Sequence, residues 1–573
     1  MDNGDIAQVF FDIADMLEIK GDDWYRVRAY RRAAEAMAHY PEELTTLWEE
    51  DRLEEMPGVG KAIAGKVDEM LRTGRLQFYD RLKTEIPDGV VSLLGIPGVG
   101  PKTVHRLYME LGLVSIPDVE AAARQHRLRH LKGLGPKSEQ RILQGIEMLH
   151  RISGRHLLAT ALPVAEEIVA ALRECPAAEG VTPAGSLRRC AATVGDIDIL
   201  AASANPQEVI DHFVSLPQVY DVRSQGDTKA TVILNRGLQV DLMVLEEGHY
   251  GSLLQHFTGS KDHNAGLRGL ARRQGLSLSE YGFRHADGTV TACATEEEVY
   301  NTLGLDWIPP ELREARGELE AAREGRLPSL ITEKDIRGDL HAHSIYSDGA
   351  NTIEEMARAA MAHGYEYIVI TDHSQGLGVA GGLAPEELAR QRQEISAVNE
   401  KLPPFRVLAG TELEIRTDGA LDYPDEVLAA LDVVVAAVHL GLHQDEEKMT
   451  GRIVAAIRNP HVDIIAHPTG RLLGQREGVA LDFEAVVSEA ARTGTMLEIN
   501  AQPSRLDLGG ELARRAIEQG VMLALGSDAH HAEGLGVMRF GVVTARRGWA
   551  EPANVVNTLS CEELLAKLKG GKG

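Results

Sequence analysis

The stretch "RGDLHAHSIYSDG", residues 337–349, sets His341 and His343 one residue apart and Asp348 five positions further on. Imidazole and carboxylate groups gathered in this way are metal donors. The same residue types recur where apolar runs end. "VITDH" ends on His373, "LAGTE" on Glu412, "AAVH" on His439, "IIAH" on His467, and "ALGSDAH" on Asp528 and His530. A lone buried histidine is usually structural, but ligand types at the end of one apolar run after another are not expected by chance. No thiolate joins the set, so its N/O donors favour Mn²⁺, Zn²⁺ or Fe²⁺ over a soft-metal site. Several such ions at close spacing suit phosphoryl transfer.

A second constellation lies upstream. "PAGSLRRCAATVGDIDILAA" carries Asp196 and Asp198, and "ATVILNRGLQVDLMVL" carries Asp241 within a β-branched run. Side chains alternate along a strand, so Asp196 and Asp198 share one face while Ile197 and Ile199 face a core. Three carboxylates on one sheet face repel one another unless cations join them, and two Mg²⁺ ions are the usual resolution. The plain alternative is a solvated sheet face with stray acids, against which the adjoining "GSLRR" weighs.

Three glycine turns resemble one another: "MPGVGKAIAGKV" with Gly58 and Gly60, "IPGVGPKTVHRL" with Gly98, Gly100 and Lys102, and "LKGLGPKSEQRI" with Gly133, Gly135 and Lys137. Each precedes an amphipathic helix. The glycines are expected to adopt tight positive-φ turns and to let a phosphate approach the backbone at the helix N-terminus. A dinucleotide fingerprint fails because Ile63 stands where its third glycine belongs. A phosphate-binding P-loop fails because Val67 replaces the hydroxyl that follows its lysine.

These sites require three kinds of scaffold. The glycine turns call for short helices over the first 150 or so residues. The aspartates call for a mixed α/β sheet. The histidines call for parallel strands alternating with covering helices, because "YIVIT", "RVLAG", "VVVAAV", "VDIIA", "TMLEI" and "VMLAL" are separated by helical patterns. About seven such units close a barrel, whose C-terminal strand ends converge on one mouth. A length of 573 residues accommodates several domains. Its four scattered cysteines form no CxxC and fit reduced thiols in a cytoplasmic protein. No run of about 18 apolar residues is present, and "MDNGDIAQVF" lacks the pattern of a secretory leader, so no membrane partner is expected. The net charge of −26 disfavours nucleic acid in the mean. Locally the balance reverses, with ten Lys/Arg against five acids from Pro97 to Arg155.

"GSLRR…GDIDIL…VDLMV…FTGSKDHN" closely resembles the family X DNA polymerases, over residues 1 to 316. The resemblance implies that Asp196, Asp198 and Asp241 hold two metals, Mg²⁺ or Mn²⁺. It implies that Gly185, Ser186 and Arg189 bind the incoming triphosphate. Phe257, Thr258 and Gly259 would lie against the sugar, Asn264 at the base edge and Arg268 towards the template. His256 replaces a tyrosine found in vertebrate members, so the neighbourhood that the resemblance implies for rejecting ribonucleotides is altered. The glycine turns resemble helix-hairpin-helix motifs, which grip DNA backbone. Lys66 aligns with the Schiff-base lysine of the family's deoxyribose-phosphate lyase; the alternative is a plain phosphate contact. From 336 to 573 the nine donors match the polymerase and histidinol phosphatase (PHP) domain, which binds up to three metals.

The whole chain resembles bacterial family X polymerases with a C-terminal PHP domain. The implied architecture is an all-α helix-hairpin-helix N-terminal region, an α/β nucleotidyltransferase-type palm and a distorted (β/α)7 barrel. The implied boundaries are a lyase-like helical domain at 1–80, a DNA-binding subdomain at 81–155, a palm at 156–245, a nucleotide-binding subdomain at 246–316, a linker at 317–335 and the PHP domain at 336–573. The implied function is gap-filling synthesis with metal-dependent 3′→5′ exonuclease, and cleavage at abasic sites in some members. The implied partners are gapped or nicked DNA and dNTPs, for a monomer at the bacterial nucleoid. Two alternatives stay open: a small-molecule phosphoesterase in the barrel, or a DNA scaffold with an inert site.

Overall fold

The computed structural model describes residues 3–38, 44–50, 52–56, 59–96, 99–131, 133–136, 138–140, 142–143, 145–146, 155–442, 444–473, 476 and 478–569. The chain forms two compact units, 1–154 and 155–573.

The first unit is helical. Along helix Asn3–Lys20, Ile6, Phe10, Ile13, Ala14 and Leu17 are buried, a stripe at helical spacing. It packs on Trp24–Ala38 through Val27, Tyr30, Ala33, Ala34 and Met37. Helices Lys61–Thr73 and Pro101–Leu111 start at Gly60 and Gly100 and stop at Gly74 and Gly112, both left-handed.

The second unit starts with a five-stranded sheet. Its strands are β1 (Glu179–Pro183), β2 (Ile197–Ala202), β3 (Val219–Gln225), β4 (Lys229–Leu234) and β5 (Gln239–Leu245), in the order β1-β2-β5-β4-β3. Strands β2 and β5 are parallel neighbours; the other pairs are antiparallel. The alternation anticipated for β5 is present: Val240, Leu242 and Val244 are buried, and Asp241 and Met243 are on the other face. Helices Leu158–Arg173 and Pro206–Val214 cover the apolar face. Helices Tyr250–Thr258 and Lys261–Arg273 follow, with a small three-stranded sheet. Residues 317–335, expected as a linker, hold the helix Glu318–Arg323 and bury Ala321, Ala322 and Ile331.

Seven parallel strands complete the unit: β6 (Gly338–Ala342), β7 (Tyr367–Ile370), β8 (Arg406–Glu414), β9 (Val433–Ala437), β10 (Ile464–Ile465), β11 (Met496–Asn500) and β12 (Leu523–Gly526). They pair in sequence order, and a parallel bridge from Ala342 to Ala529 returns the last strand to the first. The expected (β/α)7 barrel is therefore present, nearly closed. All seven strands are buried except for the end residue Arg406, as required when helices cover the outside and side chains fill the inside. Barrel residues Leu506 and Phe540 are buried in the hydrophobic cluster of the five-stranded sheet.

Candidate metal centre and nucleotide site

The barrel gathers its donors as the strand-end argument requires. Among the described residues, three groups bring donor atoms within 4.8 Å of one another: His343, Asp348, His373 and His530; His341, His343 and Asp528; and His373, Glu412 and His439. His343 and His373 each belong to two groups, so the three are contiguous. The ninth expected residue, His467, places Nε2 2.9 Å from Glu412 Oε1. Asp348 reaches the mouth from its loop, 3.6 Å from His373 Nε2 and 3.4 Å from His530 Nε2. Asp528 and His467 hold positive φ values of 51° and 28°, a cost that non-glycine residues bear where the surroundings fix them.

Electrostatics sharpen the picture. Burial alone would lower the pKa of His341, but Glu498, Glu412 and Asp528 raise it well above the usual range. Against the same burial, Glu412 and Asp348 raise His373 to about 10, and Glu412 and Glu414 raise His439 to about 9. Burial would raise Asp528, yet His341 and His343 hold it far below the carboxylate range. Burial instead wins at His343, whose pKa falls. The buried nitrogens His341 Nε2, His343 Nδ1 and Nε2, and His373 Nδ1 make no well-aligned hydrogen bond, although carboxylate oxygens lie 3.4 Å from His341 Nε2, 3.2 Å from His343 Nε2 and 2.9 Å from His373 Nδ1. Unbonded imidazole nitrogens facing carboxylates in a buried mouth fit metal cations, which would supply Lewis acidity towards a phosphoryl group.

Behind the donors lies a layer that the sequence did not reveal. Glu498 on β11 accepts from the backbone N–H of His467 at 2.7 Å and lies 2.7 Å from His341 Nδ1, fixing that imidazole. A Cβ at Gly526 would sit 2.3 Å from Glu498 Oε1 and 2.5 Å from His341 Cβ, so only glycine lets these two groups meet. Glu414 holds His439 Nδ1 at 2.8 Å, and Arg452 donates to Glu414 at 3.2 Å. The only available signal was an acid inside an apolar run, as in "TMLEI", because a buried charge needs a partner.

The five-stranded sheet places Asp198 directly opposite Asp241 in the β2–β5 register. Asp196 is exposed at the entry to β2. Burial, then Asp196 and Asp241, push Asp198 up to about 7. These three carboxylates do not form one of the groups closing within 4.8 Å. Thr231 donates to Asp241 and tethers it. The facing of Asp198 and Asp241, and the repulsion that Asp198 feels from Asp196 and Asp241, fit a cation between them.

Gly185 adopts φ +60°, and a Cβ there would lie 2.0 Å from Asp198 Oδ2, so the backbone of "GSLRR" lies against the carboxylate. Ser186 is half-buried on the same turn. Arg189 donates to the Thr258 carbonyl at 2.7 Å and to Glu314 at 3.1 Å. Phe257 is half-buried, and Gly259, at φ +67°, passes close to the Arg189 guanidinium. Asn264 donates to the His256 carbonyl and accepts from Gln255, both at 2.7 Å. Contact with a base edge would require an exchange of these bonds. His256 is lowered by burial, against Glu280 and together with Arg268.

In the first unit the described glycines correct an expectation. Gly60 and Gly100 have φ near −93° and −95°, extended values open to any residue; among the described glycines of the three turns only Gly133 is positive, at +84°. A Cβ at Gly60, Gly100 or Gly135 would meet nothing within 4 Å, so the space beside these turns is open; Gly60 and Gly100 are the N-caps of their helices, a position that also suits glycine. Lys102 is exposed. Gly58, Gly98 and Lys137 lie outside the described residues. Lys66 is half-buried, its Nζ 5.4 Å from the centroid of Phe78 and 5.9 Å from that of Tyr30.

Comparison with known proteins matches four regions to family profiles. These are a helix-hairpin-helix domain at residues 1–76, a SAM-like helix-hairpin-helix tandem at 90–147, a DNA polymerase beta thumb at 253–314 and a PHP domain at 339–498. The chain is 41% identical over 572 residues to the DNA polymerase/3′-5′ exonuclease PolX of Bacillus subtilis, covering 99% of this chain and 100% of that protein. It is 25% identical over 339 residues to DNA polymerase lambda of Rattus norvegicus, covering 53% of this chain and 54% of that protein. The barrel region is 34% identical over 203 residues to a probable phosphatase of Thermoanaerobacter sp. strain X514, covering 34% of this chain and 78% of that protein. The full-length match, with polymerase thumb and PHP regions in the same order as the two sites, shows that the chain belongs to the family X DNA polymerases carrying a C-terminal PHP domain.

Proposed function

We propose that this protein fills gaps in DNA by template-directed synthesis and trims 3′ ends with its barrel. The observation carrying the proposal is that eight of the barrel's nine donors close into contiguous groups and the ninth, His467, adjoins Glu412, in a chain whose other half sets Asp198 against Asp241 beside Gly185. In the palm, Asp196, Asp198 and Asp241 would hold Mg²⁺ or Mn²⁺. Gly185, Ser186 and Arg189 would orient the triphosphate, Phe257, Thr258 and Gly259 would seat the sugar, and Asn264 and Arg268 would face the base and template. In the barrel, the nine donors would hold up to three ions of Mn²⁺, Zn²⁺ or Fe²⁺, with Glu498 and Glu414 fixing the imidazoles behind them. The reading extends to cleavage at abasic sites in the barrel and lyase chemistry at Lys66. It places the protein with DNA in the bacterial cytoplasm.

A labelled gapped duplex tests this directly. Extension is expected with dNTPs and Mg²⁺ or Mn²⁺, and shortening from the 3′ end is expected without dNTPs in Mn²⁺. Absence of both on this substrate leaves the reading without support. A second reading, a small-molecule phosphoesterase, draws on the barrel's likeness to probable phosphatases. Faster turnover of a phosphomonoester than of a DNA 3′ end would favour it.

The open surface above Gly60, Gly100 and Gly135 supports a backbone-phosphate grip. Reversing the exposed charge with Lys102→Glu is expected to weaken binding by about threefold to tenfold, equally for all sequences, and to flatten the salt dependence. Filter binding of two unrelated duplexes across a salt series measures both. A loss confined to one sequence would show base reading instead.

A further inference from the structure

We infer that Arg547, on the barrel helix Met538–Arg547, is a positioning residue for the polymerase reaction, holding Arg189 in place through Glu314. The inference rests on reading Arg189 as a triphosphate ligand.

The barrel helix is wedged between two cores. Met538, Val542 and Ala545 are buried in the barrel's hydrophobic cluster, whereas Phe540 is buried in that of the five-stranded sheet. Its last residue therefore has a fixed origin. Arg547 donates to Glu314 Oε1 at 2.9 Å, and Arg189 donates to the same oxygen at 3.1 Å. A second Arg547 nitrogen donates to the backbone carbonyl of Arg189 itself. The three side chains are only 15–20% exposed. Burial would raise Glu314, but Arg547 and Arg189 hold it below the usual carboxylate range, so it stays ionised between them. Arg189 is fixed from the other side by the Thr258 carbonyl.

The consequence is a division of charge. One carboxylate shared by two guanidiniums leaves net positive charge at this point, where an anionic triphosphate would be received. Without Arg547, Glu314 would pair with Arg189 alone, and the anchor on the Arg189 backbone would also be lost. The guanidinium fork makes two directed bonds here, which a lysine cannot reproduce. Nucleotide affinity should therefore depend on a residue of the PHP barrel that touches neither nucleotide nor barrel metal.

The test uses the full chain and single-nucleotide filling of a gapped duplex. Arg547→Ala is expected to raise the KM for dNTP by about tenfold with a smaller change in kcat, the scale of one lost charge-assisted hydrogen bond. Arg547→Lys should fall between wild type and alanine. In an Arg189→Ala background, Arg547→Ala should add nothing further. Metal-dependent 3′ digestion and the melting temperature report on folding and should stay within twofold and about 2 °C for the lysine variant. An unchanged KM in Arg547→Ala beside a raised KM in Arg189→Ala overturns the inference. So does an undiminished Arg547→Ala effect in the Arg189→Ala background. A silent Arg189→Ala overturns the triphosphate reading itself, and the inference falls with it.

Discussion

Replacing His341 and His343 together by alanine is expected to abolish 3′-end digestion while gap filling persists. His343 belongs to two of the three donor groups and His341 to one, so the pair touches two of the three. Both are fully buried, and His341 is fixed from behind by Glu498. Substituting a group that merely orients a ligand costs about 10- to 100-fold in metal affinity or activity. Loss of two ligands should cost at least about a hundredfold and lower the metal content per chain. The pH dependence follows from the same geometry. In the metal-free chain the carboxylates raise His373 to about 10 and His439 to about 9. These folded values lie above the usual 6.5, so the protonated pairs stabilise the metal-free barrel fully below pH 6.5. That contribution is lost as pH rises through about 9 to 10. Metal uptake must displace those protons, so it should strengthen with rising pH, and digestion should weaken as pH falls. Digestion assays, metal analysis and melting of the metal-free chain across pH 6 to 10 check all three. Full digestion at unchanged metal content would show that these histidines are not ligands.

The barrel site was legible in the sequence because its chemistry stands at the ends of apolar runs. A parallel strand buried on both faces is written as an uninterrupted apolar stretch, so a histidine that ends it is conspicuous. His373, His439 and His467 could be found in this way. Glu498 could not, because it lies inside "TMLEI" and its partner His341 is 157 residues away. Gly526 was equally silent, since its necessity appears only when β12 is laid beside Glu498. In the palm, period-two alternation placed Asp198 and Asp241 on a common face, but the parallel pairing that sets them opposite each other is a tertiary fact. At Gly60 and Gly100 the expected helix-entry turns are present but the expected positive φ is not. Sequence cannot distinguish a glycine needed for its φ from one needed for the space above it. Arg547 illustrates the same limit, since a basic residue at a helix end has ample local explanation in the helix dipole. Its bonds to Arg189 and Glu314 cross more than 230 residues of chain.

Replacing Asp196 and Asp198 together by alanine is expected to eliminate nucleotide addition and leave 3′ digestion intact, since the two sites share no ligand. These two carboxylates would help anchor the cations that stabilise charge in phosphoryl transfer, a contribution of several kcal/mol, so the loss should reach at least about 10³-fold. Asp198 also supports a stability measurement that does not depend on activity. Burial and its acidic neighbours raise its pKa from 3.8 to about 7. A carboxylate with a raised folded pKa costs stability progressively as pH climbs from 3.8 to 7, and the full cost remains above that. Asp198→Asn removes the charge at nearly constant shape, and it should raise the melting temperature of the metal-free protein at pH 8 by a few degrees, roughly 2 to 4 °C. The gain should vanish near pH 4, where the native carboxyl is already neutral. In Mg²⁺ the ranking should reverse, because wild type alone gains stability from the bound cation. Thermal melts at pH 4 and pH 8, with and without Mg²⁺, decide the matter. If Asp198→Asn melts below wild type at pH 8 without metal, the carboxylate is held by partners of its own, and the unmet repulsion that points to a cation is not there.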